Sequence, residues 1–298
     1  MITLFNNIKI NFTEKFKIAG KISILLILVG IFLLFFKGLE LGIDFKGGTE
    51  VIIENTSNKS FSIDNFRSLL DDNDIVYSSA RKYGKTQIQL RSVNQIDITA
   101  LKSVLVKTNE YEFKSASKMT ATATERLKND AIKALSIAIL LIGLYIIVRF
   151  DWYTAVGGIS ALIHDVFITI TMLMFFSYEF NIKIVAAILL VIGYSLNDTI
   201  VVFDRMRENI KEYANMKLYE IINLSLNETL GRTIITSLTT LLVIVPLFIF
   251  GGETLKGLSF ALMIGVLSGT YSSIFVATPI MMALREKYYS EENEQEGP

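Results

Sequence analysis

The chain has 298 residues, of which 51% are hydrophobic, and a mean hydropathy of +0.46; these values fit a membrane protein better than one or two soluble domains. Its 29 basic and 29 acidic residues cancel, which removes any bulk electrostatic case for binding nucleic acid. The absence of cysteine and the single histidine exclude disulfides, thiolate chemistry and multi-histidine metal centres.

Residues 1–17 are short and basic (Lys9, Lys15, Lys17) and read as a cytosolic lead into the first apolar run, residues 18–37. No small-x-small cleavage pattern follows that run, and Phe32 to Phe36 are bulky, so it reads as a retained span. Between 38 and 128 the composition turns soluble, with 13 basic and 12 acidic residues. Thr49 to Glu54 alternates as a strand, and Ile63, Phe66, Leu69 and Leu70 make a helical face. Two strands, Ile75 to Arg81 and Thr86 to Arg91, flank a turn at Lys82-Tyr83-Gly84-Lys85. Ile98, Leu101, Val104 and Leu105 give a second helix, and Tyr111 to Ser117 a last strand. The order β-α-β-β-α-β predicts an α+β unit of ferredoxin-like type. Gly84-Lys85-Thr86 resembles the end of a phosphate-binding loop, but Ser79 stands where its first glycine would be, and the element is a hairpin.

Five further apolar stretches, about 131–149, 154–177, 182–203, 233–250 and 257–284, reach roughly the 20 residues that a bilayer requires, which predicts a polytopic α-helical protein of six spans. Placing the N-terminus in the cytosol puts Lys9, Lys15, Lys17, Arg149, Arg205, Arg207, Lys211, Lys217, Arg232, Arg285 and Lys287 inside, against Lys183 and Lys256 in the short external loops. That bias predicts cytosolic termini and an external soluble unit. Residues 204–232 read as a cytosolic connector, either an interfacial helix or a helix pair, and 285–298 as a cytosolic tail. Pro246 and Pro279 are candidate kinks.

Asp198 lies inside the fourth span, six residues before Asp204 and so roughly 9 Å from a polar border at the helical rise. An Asp near the centre of a span disfavours insertion by about 2.5 to 3.5 kcal/mol, so such residues normally face a bundle interior and mark ion or proton pathways. Ser195, three residues before it, and Thr199 supply a polar stripe that Tyr194 and Asn197 widen. Arg232 opens the fifth span and reaches toward the same layer; making and breaking a pair between the two would load and release a proton. In the third span, His164 and Asp165 sit near mid-membrane, His164 either a relay or a packing residue, Asp165 either functional or structural. Gly257, Ala261, Gly265, Gly269, Ser273 and Ala277 place a small residue at every fourth position of the sixth span, which allows close helix approach. No serine with a base, HExxH pattern or glycine-rich nucleotide loop points to an enzyme or a cofactor.

Four stretches, GIDFKGGT (42–49), ALIHDVFIT (161–169), IGYSLNDTIVVFDRMREN (192–209) and NETLGRTIITS (227–237), are similar in sequence and order to the SecF family of the bacterial protein-export machinery, a branch of the resistance-nodulation-division superfamily. The resemblance covers nearly the whole chain. It implies a multi-pass protein of the bacterial cytoplasmic (inner) membrane that works with SecD beside the SecYEG channel, with YajC and the SecA motor as further partners. It also implies use of the proton gradient, or sodium in some bacteria, to help draw preproteins across. Under it, the membrane Asp of the family's fourth span falls on Asp198, flanked by Asn197 and Thr199, and the Arg opening the fifth falls on Arg232. Gly42, Asp44, Gly47 and Gly48 form its external hinge or turn motif, in which the family usually has Thr where this chain has Lys46. Two other readings fit less well: an exporter of small molecules or lipids, which usually has twelve spans and two large external domains, and a passive channel scaffold.

Overall fold

The computed structural model describes residues 9–56, 61–93, 96–213 and 215–295; positions 1–8 of the basic lead and 296–298 of the tail lie outside the described residues. A 25-residue helix, α1 (Phe12–Phe36), is followed by one helical turn, α2 (Ile43–Lys46). The soluble unit then runs β1 (Gly48–Asn55), α3 (Ile63–Asp71), β2 (Ser79–Tyr83), β3 (Gln87–Ser92), α4 (Ile98–Thr108) and β4 (Tyr111–Met119). All pairings are antiparallel in the order β2-β3-β1-β4, the ferredoxin-like arrangement that the element order predicts.

Alternation explains which face is covered. Val51 and Ile53 of β1 and Ile88 and Leu90 of β3 are fully buried together with Phe66 and Leu70 of α3 and Leu101 of α4. The opposite face stays polar, as an antiparallel sheet with one covered side requires. Both helices start on a side-chain cap: Ser62 accepts from the Asp64 amide, and Asp97 from those of Thr99 and Ala100. One expected strand is shorter than its sequence suggests. Residues 75–78 lie outside β2, because the run Asp71-Asp72-Asn73-Asp74 ends α3 in a turn with Asp74 at φ 53°, and Ile75 drops into the core, its amide donating to Leu70 O.

The remaining helices are α5 (Ala121–Arg149), α6 (Trp152–Phe175), α7 (Ile182–Glu212), α8 (Leu218–Phe250), α9 (Gly252–Ser272) and α10 (Thr278–Gln295), the last two joined by a π turn over Ser273–Ala277. With α1, and with α9 and α10 taken as one span, six helices among the described residues are long and apolar enough to cross a membrane. Burial sorts them: 56%, 50% and 56% of the apolar windows of α6, α7 and the α9–α10 span are buried, against 17% in α1, α5 and α8. Glycine permits this close packing. A Cβ on Gly265 would lie 2.0 Å from Val191 of α7, and one on Gly157 2.6 Å from the Ala277 carbonyl.

The connector 204–232 consists of the continuing ends of α7 and α8 around a short turn, so the expected helix pair extends the spans themselves. Asn209 of α7 donates to Ser225 and Glu228 of α8, and Arg205 pairs with Glu228 at 2.7 Å. Asn223 and Asn227 of the same stretch accept from the Phe12 and Ile10 amides, strapping the start of the chain to the connector. α8 runs unbroken through Pro246, whereas Pro279, which has no amide hydrogen, is the second residue after the π turn.

The GIDFKGGT stretch ties the soluble unit to the bundle. The Gly42 amide donates to Phe180 O, and Asp44 Oδ2 accepts from the Ile182 amide at the first residue of α7. Gly47 and Gly48 then take φ 76° and 109°, and a Cβ on Gly48 would lie 2.4 Å from Ser92 O. Gly48→Ala is therefore expected to destabilise the soluble unit by about 1 to 3 kcal/mol or more, read as a lowered unfolding midpoint. Gly20→Ala, at a helical position with nothing within 4 Å of the added carbon, is expected to leave that midpoint unchanged or raised.

Candidate functional site in the helix bundle

Two buried carboxylates in the bundle have opposite surroundings. Asp165 of α6 is completely inaccessible. Its Oδ2 accepts from Ser195 of α7 at 2.5 Å and Ser272 of α9 at 2.7 Å, and its Oδ1 from Ser268 of α9 at 2.6 Å. His164 Nδ1 lies 3.1 Å from Oδ1, within hydrogen-bond reach. Three hydroxyl donors thus hold the carboxylate and join three helices, which is how a charged group is tolerated away from water. The His164 ring stacks on Tyr271, whose hydroxyl donates to Ala19 O of α1, while its Nε2 is buried without a partner.

Asp198 of α7 is 2% exposed but poorly held. Its Oδ1 is 3.4 Å from the Thr236 hydroxyl of α8, and that hydroxyl has two nearer acceptors, Thr233 O at 3.0 Å and Arg232 O at 3.1 Å. One hydroxyl proton cannot serve all three well. Among the described residues Oδ2 has no hydrogen-bond partner, nor does the buried hydroxyl of Tyr194 one turn earlier. The expected Asp198–Arg232 ion pair is not made: Arg232 is exposed, and Thr236, one turn further along α8, takes the place beside the carboxylate. Thr199 is buried and bonds Ser195 O at 3.1 Å, whereas Asn197 points outward and does not widen the inner stripe.

Outside the bundle, the open face of the sheet looks onto the α6–α7 corner across a cleft of about 760 Å³. Glu179 of that corner grips Arg81 of β2 and Arg91 of β3, and Arg91 also pairs with Glu50 of β1 at 2.6 Å. Reading the sequence missed Ser268, Ser272, Thr236 and Glu179. The two serines sit one residue before members of the small-residue stripe, and Thr236 falls one turn after Arg232; only the fold brings these three hydroxyls to an acid and Glu179 to two arginines.

Residues 100–287 match the family described as "Protein export membrane protein SecD/SecF, C-terminal", and residues 32–54 the "SecD/SecF GG Motif". The protein translocase subunit SecF of Rhodothermus marinus is 41% identical over 297 residues, covering 95% of this chain and 96% of that protein. The chain belongs to the SecF family. SecF of Calditerrivibrio nitroreducens is 40% identical over 292 residues, covering 94% of this chain and 95% of that one. A crystal structure of SecDF from a Thermus species superposes with a TM-score of 0.86 at 31% identity over 96% of this chain, and SecDF in a super-membrane-facing form with 0.73 at 30% over 97%. The chain spans 40% of the length of each of those SecDF chains. As a SecF-family member it is a multi-pass membrane protein and a transport component, not an enzyme.

Removing the Asp165 carboxylate takes the acceptor from the buried Ser195 and Ser268 hydroxyls, leaves Ser272 with Gly269 O, and removes the contact of His164 Nδ1. Asp165→Ala is expected to lower stability by about 3 kcal/mol or more, with a much smaller loss for Asp198→Ala, in thermal unfolding of the purified protein. Equal losses would show that the hydroxyl cage adds no stability.

Proposed function

We propose that this chain is the SecF subunit of a Sec protein-export translocase in a bacterial cytoplasmic membrane, where with SecD it uses the proton motive force to promote preprotein movement. In this reading residues 38–128 lie outside the cytosol, both termini lie inside, and the external unit contacts the emerging chain, with the polar cleft as the surface it offers. The observation that carries the coupling step is the buried Asp198 carboxylate with one oxygen unbound and the other weakly held. A proton taken up there is compensated by no fixed partner, so its arrival and departure change what α7 and α8 offer each other. Arg232 is the cation nearest in sequence to Thr236 on α8, and rotation of that helix brings it into reach. Thr199 positions the Asp198 turn through Ser195, while His164, Asp165 and Ser195 hold the static part of the bundle. Gly42, Asp44, Gly47 and Gly48 pass the helix movement to the external unit.

A SecD partner is supported by the SecDF likeness and by polar groups left at the surface of this chain. Arg232 and Asn197 are exposed beside α7 and α8, where lipid would be a poor neighbour. The channel SecYEG, SecA and YajC are further partners in this reading. Each charge moved across the field supplies about 2.3 kcal/mol per 100 mV, so one proton per step shifts a two-state helix arrangement by roughly fiftyfold. Asp198→Asn is expected to retain copurification with SecD while reducing gradient-stimulated export in vesicles to the level seen without a gradient. Normal stimulation in that variant would remove Asp198 from the coupling step.

A further inference from the structure

A second cavity, about 340 Å³, surrounds the double glycine and adjoins the cleft facing the bundle, sharing Lys118 and Met119 with it. It is lined by Lys46, Gly47, Gly48, Thr49, Val93, Lys118, Met119, Thr120 and Ala121, two lysines and no acid. Neither lysine forms an ion pair among the described residues, and both side chains are exposed. Lys118 of β4 stands directly opposite Thr49 of β1, so their side chains share one face of the sheet. Thr49 is 2% exposed, yet its Oγ1 has no hydrogen-bond partner among the described residues. The buried Thr124 Oγ1 is also without a partner, and it lies 3.5 Å from where a Gly47 side chain would begin. The start of α5, a 29-residue helix, borders the cavity through Thr120 and Ala121; the Thr120 hydroxyl accepts from the Ala123 amide and its carbonyl from the Thr124 amide, so the amides of Ala121 and Thr122 have no acceptor within the helix.

We propose that this cavity binds a phosphate-class oxyanion, with Lys46 and Lys118 supplying charge, the Thr49 hydroxyl a hydrogen bond, and the start of α5 its amide donors and dipole. Glycine at 48 lets the chain pass close to Ser92 and to Val93, which borders the cavity: a Cβ there would lie 2.4 Å from Ser92 O and 3.3 Å from Val93 Cα. Each ingredient favours an anion, and together they leave the buried Thr49 hydroxyl the partner it lacks. The motif's own Asp44 caps the first residue of membrane-spanning α7, so the cavity stands at the shoulder where the soluble unit meets the bilayer. A phospholipid headgroup in the adjacent leaflet and free phosphate share this chemistry. Lys46 gains a role as a headgroup or phosphate ligand, distinct from the turn geometry of its neighbours.

The test uses the full-length, delipidated protein in a non-ionic detergent. Thermal unfolding is followed against inorganic phosphate and against chloride at matched ionic strength, and separately in nanodiscs of phosphatidylglycerol or of a neutral glycolipid without phosphate. The native chain is expected to be protected by phosphate over chloride, or by the phospholipid over the glycolipid. The double variant Lys46→Gln, Lys118→Gln should need at least about tenfold more anion for the same protection, or retain correspondingly less phospholipid by mass spectrometry. Lys107→Gln, on α4 away from the cavity, should behave as the native chain. Protection by phosphate in detergent assigns the free anion; protection seen only with phospholipid assigns the headgroup. No difference between native and double variant in either arm, or equal loss in Lys107→Gln, overturns the site.

Discussion

The Asp165 carboxylate, closed by hydroxyls from two other helices, is the junction on which the packing of the bundle depends. A charge in a dry interior is tolerated only where donors replace water, and here Ser195, Ser268 and Ser272 do so at 2.5 to 2.7 Å. Those distances demand that α7 and α9 approach α6 closely, which the glycines of α9 allow. A Cβ on Gly269 would already lie 2.9 Å from Ser195 Cβ, beside the very serine that the acid requires. Polar satisfaction and small-residue packing are thus one constraint seen from two sides.

Asp198 is one helix away and equally hidden, but its neighbours were not arranged to satisfy it. Thr236 has better acceptors in its own helix, and the outer helix α8, little buried in the bundle, is less firmly seated than α6 or α9. The bundle thus divides its two buried acids into one held by three hydroxyls at 2.5 to 2.7 Å and one that meets a single hydroxyl at 3.4 Å. The division follows from the donor count at each acid and is independent of any protein that this one resembles.

Much of this was legible from the residues. Apolar runs of about twenty residues announce spans because no other element can bury its backbone in lipid, and alternation with a glycine hairpin announces the sheet order. Asp198 and Asp165 stood out because a charge in such a run is expensive. Their difference did not, since hydroxyl donors on α7 and α9 are separated from Asp165 by 30 to 107 residues and serine is common in spans. The Asp198–Arg232 pair is not formed because Thr236, one turn further along the same face of α8, stands level with the acid, while Arg232 lies a turn nearer the helix start with its side chain exposed. The start of β2 was misplaced because Ile75 has the hydrophobicity of a strand residue but serves as a plug behind a turn.

The contact of Glu179 with two arginines on neighbouring strands carries a mechanical consequence. A single tether would let the sheet swivel about the corner between α6 and α7, whereas grips on β2 and β3 together resist torsion as well as sliding. The sheet is then anchored to the bundle at its β2–β3 side, through charge on two strands and not one.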